Sequence, residues 1–152
     1  MKEIDSQKAA RVWQRVQGEG HLPAVKSGQY PALIQDQWQL STFYMQLSRQ
    51  MPGKDGAVLL RLAREARAAA MCLRGICSLT TGQSAALSPI PAQPSPAEAM
   101  LRRCYGQELR LLKEYENRCG DAEYGAVFTA LVQRAQEHCC KLLELIGSMN
   151  MR

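Results

Sequence analysis

The chain lacks any apolar run close to the roughly 18 residues that a membrane-spanning helix needs, which predicts no membrane span. Its start, MKEIDSQKAARVW, is charged and periodic where an export signal would carry an apolar core, and a cytoplasmic protein is the expectation. Aromatic residues are scarce at 6%, too few to interleave with basic side chains as a nucleic-acid surface would require. The 19 Lys and Arg alternate with 14 Asp and Glu in every segment, so the net charge of +5 describes solvated helix faces and nucleic acid is not an expected partner. Only two histidines occur, and no Gly-rich phosphate loop, nucleophile elbow or Ser/His/Asp arrangement is present. General acid–base catalysis is poorly served by such a set.

Cysteine is not scarce, but its spacing is uninformative for cross-linking. The six residues at 72, 77, 104, 119, 139 and 140 include no CxxC pair. Most fall inside helical patterns, and a chain of 152 residues buries an adequate core without disulfides. They are expected to be reduced thiols that pack as small hydrophobes. The vicinal pair Cys139–Cys140 is the one redox candidate.

Strand alternation is absent too, and helical periodicity fills its place. Residues 5–17, opened by Asp5 and Ser6 as candidate caps, predict a short helix with Val12, Trp13 and Val16 on its apolar side. The following GEGHLPAVKSGQYP, with three glycines and two prolines, predicts a loop. Four long segments then carry apolar seams in steps of four and three. The first, about 31–51, runs Leu33, Gln37, Leu40, Tyr44, Leu47 and Met51; the second, about 55–79, runs Leu62, Ala66, Ala69, Leu73 and Ile76. In the third, about 96–118, the seam is Ala97, Leu101, Cys104, Glu108, Leu111 and Tyr115. In the fourth, about 122–149, it is Val127, Leu131, Ala135, His138, Leu142, Leu145 and Met149.

Short links, MPGKDG and CGDAEYG, make each successive pair an antiparallel hairpin. Between the hairpins lies SLTTGQSAALSPIPAQPSP, which holds four of the seven prolines and is therefore semi-extended, long enough to run the length of a bundle. The expectation is all-α: an antiparallel four-helix bundle of two hairpins and one long crossover over residues 31–152, preceded by an N-terminal helix and loop over residues 1–30, in a single domain.

The two hairpins echo each other. Gln37 and Tyr44 are seven residues apart, as are Glu108 and Tyr115, and LAREARAAAMCLRGI laid over LVQRAQEHCCKLLEL pairs Ala66 with Ala135 and Ala69 with His138. Here residues 31–149 resemble the rubrerythrin-like branch of the ferritin-like superfamily. That family carries Glu with Tyr two turns on in helices one and three, and Glu-x-x-His in helices two and four. LIQDQWQLSTFY is similar to the first element with Gln37 in place of Glu, and YGQELRLLKEY keeps the third through Glu108. AREARAAAMCLRGICSLTTG is similar to the second, including its Leu-Thr-Gly exit, with Ala66 and Ala69 replacing Glu and His. AQEHCCKLLELIG keeps His138 of the fourth, with Ala135 replacing its Glu. The resemblance implies a ferritin-like fold, and its departures argue against the oxidase, peroxidase or iron-storage chemistry of the family. Two divalent irons about 4 Å apart need several charged oxygen donors, and Gln and Ala supply none.

Glu108 and His138 are the candidate site. Each would be costly to bury alone. One reading joins them to Gln37, with Tyr44 or Tyr115, in a buried hydrogen-bonded network and no cofactor. The other completes a mononuclear site for a single Fe, Mn or Zn ion with water, Glu65 or Glu137, although those two glutamates stand one position off the seam and are expected to face solvent. The alanines at 66, 69 and 135 could also leave a core cavity for a small, mostly apolar ligand. His21 is expected to be an exposed loop residue, and Trp13 and Trp38 packing anchors. The well-kept seams without a ligand set suggest a non-enzymatic binding or assembly module, a homodimer through one helix face.

Overall fold

In the computed structural model, residues 29–91 and 95–151 are described. The expected helix over 5–17, with Trp13, and the loop carrying His21 lie outside them. Four helices make up the fold: α1 (Gln29–Gln50), α2 (Lys54–Thr81), α3 (Ala97–Glu116) and α4 (Gly125–Asn150), with no strand among the described residues. None of these helices is long and apolar enough to cross a membrane.

Helix boundaries follow local chemistry. α1 begins before Pro31 rather than after it. Proline is tolerated in a first helical turn, where its missing N–H has no partner to lose, so the chain there is helix instead of the expected loop. α2 stops at Gly82, which takes φ 76° and donates its N–H to Ser78 O at 2.9 Å, a left-handed cap that glycine adopts without strain. Ahead of α4, Asp121 Oδ1 accepts the N–H groups of Glu123 and Tyr124, each at 2.8 Å, turning the chain into the helix.

The apolar seams face inward as their spacing predicts. Leu33, Leu40, Tyr44, Leu47, Leu62, Leu73, Leu101, Leu111, Leu142 and Leu145 are all buried; at the seam ends Ala97, Val127 and Met149 are half-buried. Ile34, Phe43, Leu59, Met100 and Phe128 widen the seams into a full apolar face.

α1 packs against α2 and α3, and α4 against α3 and α2. Gln29 meets Arg118 and Tyr44 meets Glu108, so α1 runs antiparallel to α3. The crossover retraces α2: Arg74 Nε donates to Ala85 O at 2.7 Å, and further on Ile90 shares a groove with Trp38 and Arg67. Ser88 and Gln35 exchange two hydrogen bonds of 3.3 and 3.4 Å, pinning the segment to α1.

Both hairpins turn over a glycine. A Cβ on Gly56 would lie 2.3 Å from Met51 O and 2.9 Å from Ser48 O, and one on Gly125 would lie 2.5 Å from Cys119 O. These are backbone atoms that cannot swing aside. Gly56→Ala gains roughly 1 kcal/mol in helix propensity but overpacks the turn. It is therefore expected to lower stability in urea unfolding by about 1–3 kcal/mol. A raised midpoint would mean that α1 and α2 can separate at no cost.

Candidate functional site

The polar core is assembled from all four helices. Tyr44 of α1 donates its hydroxyl to Glu108 Oε2 of α3 at 2.6 Å. His138 of α4 stands between two carboxylates, with Nδ1 2.7 Å from Glu108 Oε2 and Nε2 2.8 Å from Glu65 Oε1 of α2. Glu65 also accepts from Arg61 at 3.3 Å, at the bundle surface. One layer away, Gln37 Nε2 donates to the Tyr115 hydroxyl at 2.7 Å. The side chains of His138 and Glu108 are 2% and 1% exposed, so this polar chain is sealed except at its Glu65 end, which is 26% exposed.

Protonation follows from that geometry. A neutral imidazole has one N–H, whereas here both ring nitrogens face carboxylate oxygens. Imidazolium satisfies both contacts at once, donating Nδ1–H to Glu108 and Nε2–H to Glu65. Burial alone would lower the pKa of His138, but the hydrogen bonds and charges of Glu108 and Glu65 outweigh it and raise the value above the ordinary 6.5. Partial burial works against the charge of Glu65, yet its hydrogen bond to His138 and the nearby guanidiniums bring its carboxyl below the usual range. Burial, reinforced by the Glu108 charge, holds the Tyr44 hydroxyl far above 10, so it remains a donor. The Tyr44 ring stands edge-on to the imidazole, with centroids 6.0 Å apart.

Glu108 and His138 thus come together, and Tyr44 joins them directly. The Gln37 hydrogen bond goes to Tyr115. Glu65 departs from expectation. Its Cα flanks the seam, but beside it Ala66 and Ala69 leave no bulk between α2 and the imidazole, and the long side chain turns inward to the second ring nitrogen. Glu137 does face solvent, 62% exposed and 3.9 Å from Arg61. Two buried polar residues carry no seam signal: Gln107, whose Nε2 donates to Asp36 O at 2.9 Å, and Arg118, which binds Glu114 and Gln29.

The donor set does not fit two metal ions. The buried positions 66, 69 and 135 offer methyl groups, and the two carboxylates lie against opposite edges of one imidazole instead of converging. Among the described residues no three His, Cys, Asp or Glu side chains converge on a metal-sized point. The cysteines are all unbonded. Burial pushes the Cys139 thiol up to about 12 and raises Cys104 further, so these two remain protonated at neutral pH.

Among the described residues, grooves open on two parts of the surface. One, about 360 Å³, lies between α1, α2 and the crossover, and the other, about 260 Å³, between α1 and α3. Neither is lined by Ala66, Ala69 or Ala135, the positions that could have left a core cavity. Comparison with known proteins adds no relative. No family model, curated protein or solved structure matches the chain.

Proposed function

We propose that the chain is a ferritin-like bundle in which a proton-held Glu65–His138–Glu108 network stands where that family places two metals, and that it acts as a non-enzymatic binding or assembly module. The observation that carries this is the engagement of both His138 nitrogens by carboxylates, while Glu108 Oε2 already accepts from Tyr44. A metal ligand needs a free lone pair, and an imidazolium has none. The ferritin-like part draws support from the paired hairpins, the crossover that retraces α2, and the α1–α3 and α2–α4 neighbours.

Untagged protein from iron- and manganese-supplemented medium is expected to contain metal at a ratio near zero per chain by elemental analysis. A ratio near one, abolished by His138→Ala, would instead assign a mononuclear site at Glu108 and His138. A ratio near two would overturn the ligand assignment altogether.

Assembly through the α3–α4 hairpin accords with Leu109 and Leu143, large apolar side chains left exposed on it. Light scattering is expected to give a homodimer that Leu143→Glu converts to a monomer. A wild-type monomer at high concentration would remove the assembly role.

A further inference from the structure

The groove between α1, α2 and the crossover holds chemistry that the buried network does not use. Trp38, Ser41, Met45, Arg49, Arg67 and Ile90 border it. The Arg67 guanidinium lies 5.4 Å from the centroid of the Trp38 ring, so the indole face already holds a cation in place. Arg61, Arg102, Arg110 and Arg118 each have a carboxylate within ion-pair distance. Arg49 and Arg67 have none among the described residues, and both are exposed at the groove. Two guanidiniums without counter-ions beside a half-buried indole, walled by Met45 and Ile90, make a cleft that is cationic at its rim and apolar in its body.

We propose that this groove binds a small planar anion: an aromatic ring seated between the Met45 and Ile90 side chains, bearing a phosphate or carboxylate that pairs with Arg67, which stays on the Trp38 face, and with Arg49 along the same groove. Guanidinium forks match either anion in a bidentate fashion, and the anion supplies the charge that the groove lacks. A volume of about 360 Å³ has room for one ring system and one anionic group and falls at the small end of ligand sites. The crossover closes the outer side through Ile90 and is anchored on both helices by the Arg74–Ala85 and Gln35–Ser88 hydrogen bonds, so the cleft exists before ligand arrives. This site names a ligand class for the binding role proposed above. It shares no residue with the Glu108–His138 network, so the metal assay and a ligand titration fail independently.

Calorimetric titration of the full chain tests it with adenosine monophosphate and salicylate as planar anions, adenosine and inorganic phosphate as their separated halves, and a single-stranded oligonucleotide. Saturable binding of either planar anion is expected, with Kd about 1 mM or tighter and both halves at least about tenfold weaker. Binding of one planar anion without the other would support the site and show which pairing of ring and anion it takes. Arg67→Gln and Arg49→Gln should each weaken it about tenfold, the scale of one charge-assisted hydrogen bond, with unchanged unfolding midpoints. Arg102→Gln, outside the groove, should leave it intact. No binding of either planar anion, binding that survives Arg67→Gln, or binding of the oligonucleotide alone would overturn the assignment.

Discussion

Substitution of His138 by alanine is expected to lower the stability of the bundle by about 3–5 kcal/mol, the cost of stripping one partner from a buried ion pair. Glu108, 1% exposed, would retain only the Tyr44 hydroxyl as its partner. Its charge would then be uncompensated in a low-dielectric core, and the vacated ring would leave a cavity. Urea unfolding measures the loss directly. The mechanism has a sharper signature in the double variant His138→Leu with Glu108→Leu. Removing both charges in favour of apolar side chains should be far less damaging than the sum of the single changes, because the desolvation cost leaves with the interaction. Additive single and double effects, or a His138→Ala cost below about 1 kcal/mol, would show that the pair is hydrated in solution and is no buried ion pair.

Stability should also vary with pH on both sides of a plateau. The folded-state pKa of His138 is raised, so its contribution is complete below the unfolded value of 6.5 and is lost as pH rises through the folded value. Glu65 has a lowered folded pKa, so its contribution is complete above 4.5 and is lost as pH falls through the folded value. Between roughly 4.5 and 6.5 both groups contribute in full. The alkaline slope from His138 cannot exceed about 1.4 kcal/mol per pH unit, the limit for one proton. Above about 9 the raised thiol values of Cys104 and Cys139 add a second decline, because unfolded cysteine ionises first. Unfolding midpoints across pH, compared with those of His138→Gln, isolate the first slope. Nitrogen-15 NMR adds a direct test: imidazolium signals at neutral pH support the two-carboxylate contact, and a neutral tautomer would rule it out.

Much of this was readable from residue spacing. Heptad-like steps place Gln37, Tyr44, Glu108, Tyr115 and His138 on inward faces, because helix period alone decides which side a residue occupies. What spacing cannot decide is how far a side chain reaches. Glu65 was assigned outward by the position of its Cα, but three side-chain bonds and the small neighbours at 66 and 69 carry its carboxylate to His138. Gln37 illustrates the converse: its inward position was legible, but its partner is Tyr115 rather than Glu108, a choice set by the rise between adjacent helices. Arg118 escaped for a third reason. Its burial depends on the Gln29 side chain arriving from another helix, a contact 89 residues apart in sequence.

The position of His138 also bears on how the two halves of the molecule find each other. Each hairpin is local in sequence, and its leucine seams would accept more than one alignment, since a slide of one turn, about 5.4 Å, replaces one apolar side chain with another. The Tyr44–Glu108, Gln37–Tyr115 and Glu65–His138 contacts all bridge the two hairpins. A slide by one turn would break all three together, leaving Glu108 without its Tyr44 donor and one ring nitrogen of His138 without its Glu65 acceptor. Greasy surfaces supply the attraction between the hairpins, and one charged triad acts as the notch that lets them close in a single register.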